Sequence, residues 1–371
     1  MIFNKEAKTM TNRVAELLGV EKPVIQAAMA YLTNAELVAA VSNAGGFGVL
    51  AMVAPGQDHY APDVATRIKE LRAEVKKTKA LTDKPFGLNV SPFGQKKSDV
   101  DAASSASQSK SVSLTDQAKM GANDTGDDVE YDISVDQMTV GILQVAIDEG
   151  IKVVIASGVL IPEWIDKFHE NGIKYIFRPA TPRPKIIQEA VKAGVDAIIA
   201  TGFDEGGTVP ANVVGTLPTI PLVKDYAGDV PVIAAGGIAD ERTAKAVKDL
   251  GAEGIYAGTA FLASKEAPMA DNIKQKMLDT TAEEMVMFRA PNSFYRSLPG
   301  ELPNKLVQMD KDGATADEIW TASGNYDNLR QGMLLGNLSK GIASFGLGIT
   351  FIHAIEPAAK IVDRLSHGFN A

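Results

Sequence analysis

The stretch VPVIAAGGIADERTAKAVKDLGAEGIYAGTAF, residues 230–261, decides the fold. An apolar run (230–237) ends in Gly236 and Gly237, an amphipathic helical pattern follows (240–251), and a second apolar run (254–261) carries Gly258 and Thr259. Runs that are apolar throughout, without polar alternation, belong to strands covered on both faces, and such strands are parallel. Two parallel strands need a crossover, which the intervening helix supplies. The same unit recurs upstream. Apolar runs lie at 23–30, 47–52, 85–90, 152–157, 174–180 and 196–202, with helical patterns at 34–45, 161–172 and 183–194. In the first of these helices Asn34 is the cap, and Leu37, Val38 and Val41 form the apolar stripe. Eight strands with helices between them over roughly 240 residues predict an α/β fold, a (β/α)8 TIM barrel. An open doubly wound sheet would need a glycine-rich phosphate loop after the first run, and QAAMAYL (26–32) is not one.

Two regions depart from this rhythm. Residues 95–135 are rich in Ser, Asp and Ala and nearly free of large apolar groups, so they bury too little surface to offset their ordering entropy. They read as a low-complexity insertion after the third strand, either disordered or a lid over the catalytic face. From about residue 265 longer helical segments without strands are expected. The barrel is accordingly assigned to 1–94 and 136–265, a helical subdomain after the eighth strand to 266–340, and closing helices to 341–371. Within the last segment, GIASFGLGITFIHAI (341–355) is expected to be a buried helix, followed by an amphipathic one at 354–369.

Composition narrows the partners. The chain has 371 residues, a formal charge of −9 and a pI of about 5.1. That balance disfavours a nucleic-acid backbone or an anionic membrane as the main partner and leaves a small-molecule substrate. No cysteine is present, so disulfides, thiolate metal sites and cysteine nucleophiles are excluded. The N-terminal stretch lacks a signal-peptide core, and no apolar run reaches the roughly 18 residues of a membrane span. A cytoplasmic location is expected, with a homodimer left open.

Chemistry concentrates at the ends of the predicted strands. Gly236 and Gly237 after the seventh, with Gly258 and Thr259 after the eighth, offer bare backbone N–H groups and a hydroxyl in the register of a barrel phosphate site. The alternative is that these glycines only permit tight turns. Asn89, at the end of the third strand, has a donor and an acceptor for the edge of a heterocycle. Gln26 and Met29 are expected on the same face at the end of the first strand. TGFDEGGTVP (201–210) brings Gly206 and Gly207 close to a flat ligand, with Thr208 facing it. The four histidines, His59, His169, His353 and His367, have no metal-ligand spacing, so no metal is expected. His169 reads as solvated and His353 as packed in a helix.

With VIQAAMAYLTNAELVAAVSNAGGFGVL, KPFGLNV, TGFDEGGT, VPVIAAGGIAD and GIYAGTAFLASKEA in this order, the chain resembles the nitronate monooxygenase family, which includes flavin-dependent enoyl-acyl-carrier-protein reductases. The resemblance covers 12–94 and 136–265 and returns weakly in the tail. It implies an FMN cofactor. Ala28, Met29 and Ala30 would lie against the isoalloxazine, Asn89 at its polar edge, and Gly206 and Gly207 along it, while Gly236, Gly237, Gly258 and Thr259 would hold the phosphate. Two departures stand out. Where the family reads APMAG, this chain has Ala28 for the proline and Tyr31 for the glycine, and Tyr31 is expected to narrow the substrate space. Where the family reads E-A-G-G-H, this chain has Asp204, Glu205, Gly206, Gly207 and Thr208, so the catalytic histidine is replaced by Thr208. Asp204 and Glu205 are candidate substitute bases, or caps of the turn. Three readings remain open at this point. They are a monooxygenase of alkyl nitronates using O2, an NAD(P)H-dependent enoyl-thioester reductase, and a non-catalytic flavin-binding protein.

Overall fold

The computed structural model describes residues 12–53, 63–96, 131–324 and 327–371. Among them, eight parallel strands form the central sheet: β1 Val24–Gln26, β2 Gly48–Leu50, β3 Phe86–Val90, β6 Val153–Gly158, β7 Lys174–Pro179, β8 Ala197–Thr201, β10 Val232–Ala235 and β11 Gly254–Ala257. β4 and β5 (Gln95–Lys96, Tyr131–Asp132) form a separate ribbon. In the sheet, β1 pairs with β11 at one end of the order, and β2 stands at the other. The ring is closed by a parallel bridge between Ile25 and Phe47, with Gln26 N donating to Phe47 O at 2.9 Å. Neighbours in the ring follow chain order, which makes it a (β/α)8 barrel.

Burial explains the unbroken apolar runs. Along β8, Ala197 and Ile199 join Ile25, Val49, Ile155, Ile176 and Ile233 in the cluster that fills the barrel. Ile198 and Ala200 face the other way, into the larger cluster under the helices. Both sides of such a strand are dry, so its run is apolar throughout, and a polar residue such as Gln26 is carried only with its hydrogen bonds made within the barrel. The helices begin where their caps dictate. Asn34 Oδ1 accepts from Leu37 N at 3.0 Å, and Asp240 forms a capping box with Thr243 ahead of helix Glu241–Asp249. The C-terminal helix, Ala358–Asn370, packs on that same helix.

Three expectations are corrected. The eighth strand stops at Ala257, and Thr259–Leu262 is one turn of helix. The segment after 265 is not strand-free. β12 (Val286–Ala290) and β13 (Ser293–Ser297) form a hairpin that adds to β9 (Thr208–Val209) as an antiparallel sheet. Its turn is made by Asn292 at φ +54°, a conformation asparagine tolerates. Phe288, Ala290 and Tyr295 face Leu306, Ile319 and Trp320 in a small core of their own. Finally, 341–355 is an extended strap ending in the 3-10 turn Leu347–Phe351, not a buried α-helix. Its glycines sit where side chains cannot: a Cβ on Gly341 would lie 2.1 Å from Gly332 N, and one on Gly348 2.8 Å from Gly237 O. His353 follows the strap and is exposed rather than packed, while His169 is exposed as expected and meets Asp196 Oδ2 at 2.7 Å. His59 lies outside the described residues.

Most of the expected 95–135 insertion also lies outside the described residues. Its flanks are described: Gln95 pairs with Asp132 and Lys96 with Tyr131, antiparallel. Paired residues of this kind are about 5 Å apart, a gap that a hairpin loop of two to five residues bridges. Replacing 97–130 by a short Gly-Ser turn is therefore expected to leave the barrel folded, with thermal melting as the check. Loss of the cooperative transition would make the insertion structural.

Candidate active site

A cavity of about 320 Å³ opens at the C-terminal ends of the barrel strands. The loop after β1 contributes Ala28, Met29 and Ala30, β3 contributes Asn89, and β6 contributes Ser157. The loop after β8 brings Glu205, Gly206, Gly207 and Thr208. Gly236, Gly237, Gly258 and Thr259 form the wall at β10 and β11, and Tyr295, Met333 and Ser344 of the C-terminal region cover it.

Each wall has a local cause. The Tyr256 hydroxyl accepts from Ala28 N at 3.2 Å, and Thr33 Oγ1 accepts from Met29 N at 2.9 Å, so the β1 loop is pinned at its backbone. Gln26 does not reach the cavity wall. It is fully buried, its Oε1 accepting from Val49 N at 3.2 Å, and it ties β1 to β2. Asn89 Nδ2 donates to Ile155 O at 2.9 Å, which fixes the amide on the cavity wall. Gly236 and Gly237 take φ of +98° and +73°, values that exclude most side chains. Thr259 Oγ1 accepts from Gly346 N at 2.8 Å, leaving its own proton to donate.

The loop 202–208 is held from four directions. The Asp204 carboxylate accepts from Thr216 N and starts helix Thr216–Ala227, and Leu347 N donates to Asp204 O at 2.8 Å. Ser344 Oγ accepts from Gly207 N at 2.7 Å. The buried Arg296 guanidinium, from β13, donates to the backbone oxygens of Glu205 and Phe203, the latter at 3.1 Å, with its cation 5.2 Å from the Phe203 ring centre. Asp204 is thereby spent on the turn and stands outside the cavity lining. Tyr31 also stands outside it, 1% exposed in the core at φ +64°. The left-handed backbone that would suit the family's glycine persists there, and the tyrosine ring fills interior space.

The site residue not singled out from sequence is Arg178, which pairs with the candidate base Glu205. Arg178 ends β7 and its Nη2 donates to Glu205 Oε2 inside the cavity wall. Glu205 Oε1 is buried with no hydrogen-bond partner. Burial pushes the Glu205 carboxyl up to about 7, although Arg178 and, less strongly, Arg296 pull it down. Burial opposes the Arg178 charge, but Glu205 and Tyr256 together outweigh it and hold the guanidinium above its ordinary value, so it stays charged. The cavity thus holds an arginine, a carboxyl that changes state near neutral pH, and a hydroxyl at Thr208, and among the described residues no histidine lines it.

The family model for nitronate monooxygenase matches residues 11–368. Among curated proteins the chain is 33% identical over 299 residues to the (3aS,4S,5R,7aS)-5-hydroxy-7a-methyl-1-oxo-octahydro-1H-indene-4-carboxyl-CoA dehydrogenase of Mycobacterium tuberculosis, covering 79% of this chain and 67% of that one. It is 30% identical over 305 residues to a probable nitronate monooxygenase of Staphylococcus aureus, covering 80% and 79%. Among solved structures, FabK from Thermotoga maritima superposes with a TM-score of 0.74 at 26% identity, over 98% of this chain and 97% of that one.

The raised Glu205 carboxyl has a consequence for stability. The folded protein keeps a proton that the unfolded chain has lost above its ordinary 4.5. The associated stability is therefore full below about pH 4.5 and is lost as pH rises through about 7, by roughly 3 kcal/mol at most. Glu205→Gln is expected to remove this slope. Melting temperatures of both proteins from about pH 5 to about pH 8 test it, and parallel curves would contradict the assignment.

Proposed function

The chain belongs to the nitronate monooxygenase family of flavin-dependent oxidoreductases, and from that membership we propose that it oxidises alkyl nitronates with O2, using bound FMN. The observation that carries the substrate is Thr208 on the cavity wall where the family motif has histidine, with the Arg178 cation opposite a substrate that arrives already anionic. A nitronate needs no proton removed before it is oxidised, so its oxidation tolerates a threonine at the position of the family histidine.

The donor set fits FMN. A Cβ on Gly236 would fall 2.8 Å from Thr216 Oγ1, and one on Gly237 3.2 Å from Asp204 Cβ, so the neighbouring loop keeps both positions glycine where their backbone lines the cavity. Backbone N–H groups and a free hydroxyl proton suit a phosphate. On this reading Gly236, Gly237, Gly258 and Thr259 would hold the phosphate. Ala28, Met29, Ala30, Gly206 and Gly207 would border the ring, and Asn89 its polar edge. Bound FMN would supply the electron-accepting chemistry. Thr208 would orient the nitronate by hydrogen bonding, and Tyr295, Leu329 and Met333 would exclude water above it.

A second reading, NAD(P)H-dependent reduction of enoyl thioesters, is favoured by the near-complete superposition on FabK and by the thioester named in the M. tuberculosis relative. One anaerobic titration separates the two. Propionate-3-nitronate is expected to bleach the flavin band and NAD(P)H to leave it. Bleaching by NADPH alone, reversed by a crotonyl thioester, would replace the first reading with the second.

The phosphate assignment has its own test. Gly237→Asp forces a side chain at φ +73° against Asp204, which shifts the backbone N–H groups from the phosphate, and is expected to give a folded, colourless protein. Wild-type flavin content in that variant, with an unchanged circular dichroism spectrum, would overturn it.

A further inference from the structure

Asp204 and Glu205 are adjacent carboxylates, and the fold gives them opposite fates. Asp204 is tied to Thr216 N and points away from the cavity. Glu205 lines the cavity, and only one of its oxygens is used. If its sole task were to neutralise Arg178, both oxygens would be expected to engage the guanidinium fork, as carboxylates paired with arginine commonly do. Instead Oε1 is buried without any partner. An orphaned buried acceptor of this kind is destabilising unless a ligand completes it. Thr208, three residues on, has a hydroxyl that cannot accept a proton near neutral pH.

We propose that Glu205 is the proton acceptor of this site, its Oε1 removing the α-proton of a neutral nitroalkane, so that the enzyme generates the nitronate it oxidises. The inference rests on the nitronate reading above. The step balances on the substrate alone. The α C–H bond breaks, its proton goes to Oε1, and its electron pair forms the C=N bond of the nitronate while the nitro oxygens take up the charge. Arg178 remains bonded to Oε2 and faces the developing anion. The other charged or titratable groups near Glu205 are Arg296 on β13, which donates to its backbone oxygen, Tyr256 on β11, and Asp204 beside it. Burial pushes the Tyr256 hydroxyl up, so it stays neutral. Burial raises the Glu205 carboxyl itself to about 7.

The test compares nitroethane with preformed ethylnitronate by initial oxygen consumption, in wild type, Glu205→Gln and Glu205→Asp. In wild type, turnover of nitroethane is expected to rise with pH through about 7 and to show a primary isotope effect with the α-deuterated substrate. In Glu205→Gln the ratio of nitroethane to nitronate turnover should fall by about 10²–10⁴-fold. Glu205→Asp, a shorter carboxylate, should restore part of that ratio. Infrared difference spectra without substrate should show a protonated carboxyl band that titrates near pH 7 and is missing in Glu205→Gln. An unchanged ratio in Glu205→Gln, or a band already lost at the ordinary carboxyl pH, overturns the proposal. So does wild type that oxidises ethylnitronate but not nitroethane, an outcome that leaves the nitronate reading standing. Turnover of neither substrate overturns that reading, and this inference with it.

Discussion

The site depends on a contact between two stretches of bare backbone. Gly206 lies so close to the C-terminal strap that a Cβ there would sit 2.5 Å from the Phe345 carbonyl carbon, and one on Gly346 would sit 2.7 Å from Asp204 O. No alanine fits on either side without moving the chain. Because the two backbones meet directly, Leu347 N reaches Asp204 O, Ser344 Oγ reaches Gly207 N, and Gly346 N reaches Thr259 Oγ1. One strap thus links the loop after β8 to the turn after β11. The final part of the chain, remote in sequence, sets the geometry of the catalytic face.

Charge follows from the same closeness. Arg296 is 4% exposed, and the bonds that hold it in the loop run to the carbonyls of residues 203 and 205 rather than to a carboxylate. A cation donating to carbonyls keeps its full positive charge. Glu205 therefore feels two arginines, one bonded and one at its backbone, and burial still prevails over both. Removing a carboxylate from water costs several kcal/mol, and a single-sided ion pair returns only part of it. The neutral and charged forms of Glu205 are thereby left close in free energy, which is the condition for moving a proton at neutral pH.

How much of this is legible in the sequence depends on whether the signal is local. The eight barrel strands are readable because both faces of each are dry, so VVIAS and AIIAT show no alternation. The glycine pair at 236–237 and the single glycine at 258 are readable because strand ends followed by glycine mark turns. The hairpin at 286–297 escapes a reading of the sequence although Val286, Phe288 and Ala290 alternate with Met287 and Arg289. Its meaning depends on β9, far upstream in the chain, through the pairing of Tyr295 with Thr208. The strap reads as a helix because its apolar composition suits one. Its glycines answer to distant backbone, which composition does not reveal. Asp204 and Glu205 are indistinguishable in the sequence. Which one turns inward is decided by Thr216 N, Arg178 and Arg296, none of them a neighbour in the chain.

The threonine at 208 has a structural reason that does not compete with its chemical one. Thr208 sits in β9 and pairs with Tyr295 of the hairpin, while its side chain remains exposed at the cavity. A β-branched residue is well suited to such a half-covered strand position. The pairing attaches the hairpin, and through it Arg296, to the same loop that carries Glu205. If the site had kept its base at 208, proton transfer would depend on a residue at the edge of a two-residue strand. Glu205 instead sits on backbone fixed by Arg296 on one side and flanked by Gly206 against the strap on the other. On the proposal that Glu205 accepts the proton, that role falls three residues before Thr208, on backbone held by Arg296 and the strap, while Thr208 keeps both its strand pairing and a hydroxyl at the cavity.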